Sequence, residues 1–192
     1  MPDANPQALD FLLSRRSRPA KTLGAPYPDR AALEPLLQAA ARTPDHGKLE
    51  PWRFVVLGAA ALDEVAALAQ ARGAALGLDA EQIAKGGDQF ARSGCAVVVV
   101  ESPKESAKIP PLEQTYSAGA VCLALLNAAL ASGWGANWLS GWASHDAEFV
   151  AEAFGLAPHE RVAGIIHIGT ETSAPPERPR PDLSQITDWS RS

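Results

Sequence analysis

The strongest limit on how this chain can fold is the stretch 112–132, a helix pattern with almost no polar face. Ala118, Gly119, Ala120, Val121, Cys122, Leu123, Ala124, Leu125 and Leu126 follow one another without a charge. A helix apolar around most of its circumference has to be buried, either centrally or at a subunit interface. Upstream, Cys95-Ala96-Val97-Val98-Val99-Val100 is a continuous run rich in β-branched residues and predicts a strand buried on both faces. Two such segments need a substantial core. A chain of 192 residues can supply one as a single domain over 1–192.

The formal net charge of -5 recommends neither nucleic acid nor an anionic membrane as a partner. The longest apolar stretch, 118–131, reads as too short and too broken to span a bilayer. Cys95 and Cys122 both fall inside apolar segments without C-x-x-C spacing, which predicts buried thiols in a reducing compartment. Met1 leads into Pro2, Asp3, Ala4 and Asn5, with neither a basic nor an apolar leader region. A cytoplasmic protein is expected.

Pro6 opens a helix with Leu9, Leu12, Leu13 and Arg16 on one face. It runs into Arg15-Arg16-Ser17-Arg18-Pro19. Paired arginines can complement a helix C-terminus, or with the serine hydroxyl they can bind several oxygens of a phosphate; both explanations stay open. In the next helix Pro35 conflicts with a start at Asp29, so a start near Leu33 is expected. Arg42 follows at its end, beside the charged loop Pro44-Asp45-His46-Gly47-Lys48-Leu49-Glu50-Pro51-Trp52, which leads into a strand over 54–57. That loop is either a plain connection or a display of ligand-binding groups.

Helices are expected over 62–76 and 80–91, the second interrupted by Gly86-Gly87 and read as a mobile cover segment. After the 112–132 helix, Trp134-Gly135-Ala136-Asn137-Trp138-Leu139-Ser140-Gly141-Trp142 packs three tryptophans and two glycines into nine residues. That predicts a short strand whose backbone meets a flat partner, although tryptophans filling a core would look alike. Ser144 is expected to cap a helix through Phe154, followed by a strand over 162–168. The tail from Ser173 is proline-locked and has to lie against something, with Ile186 and Trp189 favouring docking.

The marks of serine hydrolases, P-loop NTPases and zinc proteases are missing, as is the G-x-G-x-x-G of nicotinamide-binding Rossmann domains. Asp45 and His46 lack a second ligand cluster, so no metal is expected. What remains is an anion site (Arg15, Arg16, Ser17), a polar loop (Arg42, Asp45, His46) and a glycine-rich aromatic platform (138–141). The three suit a flat ligand carrying a phosphate, a description that flavin mononucleotide (FMN) meets.

Four motifs in this order resemble the FMN-dependent nitroreductase family, and within it the short NAD(P)H nitroreductases of the YdjA type. They are Arg15-Arg16-Ser17; Pro44-Asp45-His46 with Pro51-Trp52-Arg53-Phe54-Val55-Val56; Glu113-Gln114-Thr115-Tyr116-Ser117-Ala118-Gly119; and Trp138-Leu139-Ser140-Gly141. The likeness runs from about Leu9 to Gly169.

The resemblance implies an α+β fold with helices around a mostly antiparallel sheet, in an intertwined homodimer. The tail, 173–192, would pack on the partner subunit. It implies an NAD(P)H oxidoreductase passing electrons through FMN to a nitroaromatic, quinone or similar acceptor; the alternative is a flavin carrier or sensor without turnover. Arg15, Arg16 and Ser17 would hold the phosphate. Trp138, Leu139, Ser140 and Gly141 would border the flavin, and Arg42 and His46 would reach it from the partner subunit. Residues 128–133 match a stretch associated with nicotinamide, and Arg178 or Arg180 could approach the phosphate. No side chain need act as nucleophile or essential acid. Two departures stand out: His46 where many relatives carry Asn, and Leu139 where relatives often carry a basic residue.

Overall fold

The computed structural model describes residues 3–190. Its centre is β3 (Cys95–Glu101), in which every residue is buried, as the unbroken β-branched run predicts. β2 (Trp52–Gly58) pairs with β3 on one side, in register from Trp52↔Glu101 to Gly58↔Cys95. β5 (Arg161–Glu171) pairs with it on the other. β5 is long enough to hold two further strands: β4 (Gly135–Leu139) against 165–169 and β1 (Leu23–Gly24) against 170–171. Every pairing among the described residues is antiparallel.

Period-two alternation gives the sheet two covered faces. Ala96, Val98, Val100 and Ile165 point into a core with residues of α3 (Ala59–Ala75), α4 (Ala80–Ala91) and α6 (Ala147–Phe154). Cys95, Val97, Val99, Ile166 and Ile168 point into a second core beneath α2 (Arg30–Ala40) and α5 (Pro111–Ala131). Each fully buried valine or isoleucine contributes roughly 1.5–3 kcal/mol, so the β3–β5 centre anchors the molecule. Burial raises both free thiols, Cys95 to about 11 and Cys122 to about 12, which makes them inert packing groups.

By length and composition alone α5 is apolar enough to cross a membrane, contrary to the reading that this stretch is too short and broken. Val121, Cys122, Leu125 and Leu126 are nevertheless packed into the second core, as in a central helix.

Three local expectations are corrected. α2 does begin after Asp29, whose side chain accepts from Ala32 N at 2.9 Å, and Pro35 lies within the helix. The carbonyl that proline leaves without a donor is that of Ala31. Ala31 and Pro35 are both exposed, so water can satisfy the carbonyl while Leu33 and Leu36 secure the buried face. α6 is capped by Asp146, not Ser144, through a bond from Phe149 N; Ser144 is buried in the preceding turn.

Gly86 and Gly87, expected to loosen α4, instead let it pack closely. A Cβ on Gly86 would lie 2.5 Å from Trp142 Nε1, and one on Gly87 2.8 Å from Gln70 Cγ. Asp79 and Gln82 add a capping box to α4. Gly86→Val should cost about 1–3 kcal/mol through overpacking. That would lower the melting temperature by about 2–4 °C per kcal/mol for a chain of this size, read by calorimetry. An unchanged or higher melting temperature would restore the loose-cover reading.

Candidate functional site

α1 (Pro6–Ser14) is capped by Asn5 and stops at Ser14, with Arg15 as its C-cap, its N–H donating to the Phe11 carbonyl, and Arg16 beyond the helix. They therefore do not serve as basic residues of that turn. Arg15 Nη2 donates to Ser17 Oγ at 3.0 Å, and Arg16 Nη1 to the Ser17 carbonyl at 3.4 Å. The Nε atoms of both arginines are buried without a partner. Burial and the charges of Arg180, Arg16 and Arg18 lower the Arg15 pKa, so four guanidinium groups share one locality. The adjoining cavity of about 290 Å³ is lined by Arg15, Arg16, Arg18 and Glu171 with Leu130 and Trp134. Arg18 Nε pairs with Glu171 at 3.3 Å. Glu171 thus neutralises one side of the cluster.

Two bonds stitch this segment to the aromatic strand. Arg18 N donates to the Ala136 carbonyl at 2.8 Å, and Asn137 Nδ2 donates to the Arg18 carbonyl at 2.8 Å. Trp138 follows Ala136 by two residues, roughly 7 Å along the strand. Its indole lies over Gly164, where a Cβ would come within 2.1 Å of Nε1. Trp138 keeps a partly exposed ring and Leu139 is half-buried. Ser140 and Gly141 continue as an exposed segment, with Ser140 Oγ 3.3 Å from His145 Nε2. Six of the nine sequence-predicted residues (Arg15, Arg16, Ser17, Trp138, Leu139 and Ser140) therefore lie on two stitched segments, with Gly141 directly after them.

Arg42 and His46 lie elsewhere. The loop past α2 is held at the first turns of α5: Ser117 Oγ donates to the Pro44 carbonyl at 2.9 Å, and His46 Nδ1 is 2.5 Å from Glu113 Oε2. Asp45 closes the loop by accepting from Glu50 N at 2.6 Å. Gly47, Lys48 and Glu50 all adopt positive φ there, which costs the two non-glycine residues roughly 1–2 kcal/mol each. Leu130 and Gly133, which line the arginine cavity, stand at the other end of α5. Glu113 and Leu130 are separated by roughly 25 Å of helix at 1.5 Å per residue. Within one chain, then, Arg42 and His46 do not meet Arg15 and Arg16.

Sequence reasoning did not assign Arg18, Glu171 or Glu113 to the site. Glu113 comes to His46 across 67 positions and no local pattern announces it. Arg180, named only as a candidate, donates to the Arg15 carbonyl at 3.3 Å. The stretch 128–133 forms the end of α5 and borders the arginine cavity. Among the described residues no group of three or more His, Cys, Asp and Glu side chains could hold a metal ion.

The chain belongs to the nitroreductase family, a family of oxidoreductases, whose profile, described as "Nitroreductase family", matches residues 12–170. It is 34% identical over 163 residues to the "Putative NAD(P)H nitroreductase YdjA" of Escherichia coli (strain K12), covering 85% of this chain and 87% of that one. It is 36% identical over 165 residues to a "Putative NAD(P)H nitroreductase" of Haemophilus influenzae, covering 85% and 88%. In fold it matches a nitroreductase-like family protein from Bacillus cereus over the whole of both chains, with a TM-score of 0.78 at 24% identity. A Desulfovibrio desulfuricans protein solved in complex with FMN matches with a TM-score of 0.74 at 22% identity, covering 96% of each chain.

Proposed function

We propose that the protein is an FMN-dependent NAD(P)H oxidoreductase of the cytoplasm, passing electrons to a nitroaromatic, quinone or similar electron-poor acceptor. The observation that carries this reading is the pair of buried, partnerless Nε atoms on Arg15 and Arg16. Buried donors without partners are costly, and a phosphate dianion is the ligand such a fork fits. In this reading Arg15, Arg16 and Ser17 hold the phosphate, and Trp138, Leu139, Ser140 and Gly141 border the flavin ring. The relatives' names agree with it: those from E. coli and H. influenzae carry NAD(P)H nitroreductase in theirs, and the D. desulfuricans protein was solved with FMN.

FMN, when bound, supplies the hydride chemistry, so the chain needs no nucleophile of its own. Its residues bind, orient and exclude water. Arg15 and Arg16 anchor one end of the cofactor; the Trp138 indole, seated on Gly164, limits where the other end can lie.

The site is completed by a second copy of the chain, with Arg42 and His46 serving the partner's flavin and the tail, 173–192, packing on the partner. Three exposed apolar surfaces support this: Leu9, Leu12 and Leu13 of α1, which has no buried residue; Leu112, Tyr116 and Leu123 of α5; and Leu183 and Ile186 of α7 (Leu183–Ile186). Residues 191–192 of that tail lie outside the described residues.

Purified protein should be yellow or take up FMN, and anaerobic NADH or NADPH should bleach it. Arg16→Ala should weaken FMN binding about tenfold or more, because a charge-assisted contact contributes roughly 1.5–3 kcal/mol, with little change in apo stability. Unchanged affinity with a lower melting temperature would leave the arginines a purely structural role. The second reading, a carrier or sensor, is favoured by the aliphatic Leu139 at the flavin edge; a yellow protein that neither nicotinamide reduces would establish it.

A further inference from the structure

Among the described residues, the only non-glycine positions with positive φ are Lys48 (55°) and Glu50 (48°), both in the loop after α2, with Gly47 beside them at 78°. Such a conformation persists only where the surroundings over-determine it. Here the Asp45 carboxylate accepts from Glu50 N, and Ser117 Oγ of α5 donates to the Pro44 carbonyl. Gly47 lies so close to Ile109 that a Cβ would come within 3.2 Å of its side chain. The residue this scaffold displays is His46, whose side chain is 63% exposed. It borders a cavity of about 360 Å³ with Glu113, Tyr116 and Ser117 of α5.

Stability does not account for that much restraint, because an exposed ion pair is screened by water and adds little. What the Glu113 contact does fix is the proton of the ring. Glu113 stands in the first turn of α5, where the helix dipole favours a negative charge. An ionised carboxylate can only accept, so the 2.5 Å contact between its Oε2 and His46 Nδ1 requires the hydrogen on Nδ1. A neutral ring then carries a bare lone pair on Nε2, which has no hydrogen-bond partner among the described residues. Free imidazole side chains in water favour the opposite tautomer, with the hydrogen on Nε2. The fold imposes this one, since the bond made by one ring nitrogen sets the state of the other.

We propose that Glu113 is a positioning residue for cofactor binding: it holds His46 in the Nδ1–H tautomer, so that His46 meets the partner's flavin as a hydrogen-bond acceptor and recognises a donor on the cofactor, not its phosphate. The inference rests on the shared-site reading given above. Phosphate oxygens are themselves acceptors and would meet Nε2 lone pair to lone pair. FMN offers two kinds of donor, the ribityl hydroxyls and the ring N3–H. Charge is thus recognised by Arg15 and Arg16, and a hydrogen-bond donor by the loop of the other subunit.

The test has two arms. Histidine nitrogen-15 resonances of the apo protein at about pH 9, above the ordinary imidazole range, report which ring nitrogen is protonated. The His46 signal is the one lost in His46→Ala; it should show the Nδ1–H form in the unaltered protein and revert to Nε2–H in Glu113→Ala. In FMN titrations Glu113→Ala should raise the dissociation constant about three- to tenfold, the effect of one neutral hydrogen bond. Adding Glu113→Ala to His46→Ala should cost nothing further. Riboflavin, which lacks the phosphate, should show the same fold loss. With 3-methyl-FMN the loss disappears if N3–H is the donor and persists if a ribityl hydroxyl is; either outcome supports the proposal. An Nε2–H signal in the unaltered protein, an equal loss from Glu113→Ala with and without His46, or a loss seen with FMN and absent with riboflavin would overturn it. FMN affinity unchanged in His46→Ala would overturn the shared-site reading itself. A protein that takes up neither flavin overturns the cofactor reading and the recognition step together, whichever tautomer it shows.

Discussion

Co-refolding Arg16→Ala chains with His46→Ala chains should restore part of the FMN affinity that each variant loses alone. If Arg16 serves its own chain's flavin and His46 the partner's, one of the two sites in a mixed dimer has both residues intact. Random exchange makes half the dimers mixed, so about a quarter of all sites should regain unaltered affinity. The expectation comes from the length of α5, which separates the His46–Glu113 pair from the arginine cavity by roughly 25 Å and leaves no single-chain route between them. A family dimer of this kind would bury on the order of 2,000 Å² or more and have no stable folded monomer. Titration of the mixture with FMN, read by flavin fluorescence, measures the recovered fraction. No recovery despite verified subunit exchange, or a monomer that still holds FMN, would refute the shared site.

Acidification from pH 7 to about 4.5 should destabilise the protein through His167. His167 is fully buried on β5, with both ring nitrogens unpartnered and Phe90 packed 6.4 Å from its ring. Its cross-strand partners, Ala96 and Asn137, carry no charge. Burial pushes the imidazole down to about 4, whereas an unfolded chain would have it near 6.5. The folded pKa is the lower one, so the unfolded state binds the extra proton in this window. Stability is fully present above about pH 6.5 and is lost as pH falls towards 4. The difference between the two pKa values amounts to about 3 kcal/mol at the acid end. His167→Leu removes the titrating group. Urea unfolding at intervals from pH 7 to 4.5 should show the unaltered protein losing stability relative to the variant, approaching one proton's slope. A constant difference between them across that range would show that the core imidazole does not titrate as its burial requires.

Much of the architecture was legible in the sequence because it depends on patterns that leave few alternatives. The β-branched run of β3 can be satisfied only with both faces covered, and the apolar circumference of α5 only by burial. The left-handed Gly155, with φ 65, ends α6 where the residue type says it should. Boundaries set by competing local signals went the other way. Pro35 argues locally against a place in mid-helix, but an exposed carbonyl and two buried leucines outweigh it. Gly86 and Gly87 suggest looseness, yet what a glycine does depends on what approaches it, and here Trp142 and Gln70 do.

For the site, the sequence by itself determined which chemical groups were on offer: two arginines with a serine after a first helix, a polar loop, and a short strand of tryptophans and glycines. Only the tertiary structure decided which of these meet. Hydrogen bonds from Arg18 and Asn137 tie the arginine segment to β4, whereas a helix of 21 residues holds His46 away from both. The pairing of His46 with Glu113, 67 positions away, comes from contact between separate elements of the chain. Local residue patterns encode periodicity, caps and breaks. Distances between segments are set by packing, and packing is a property of the whole chain.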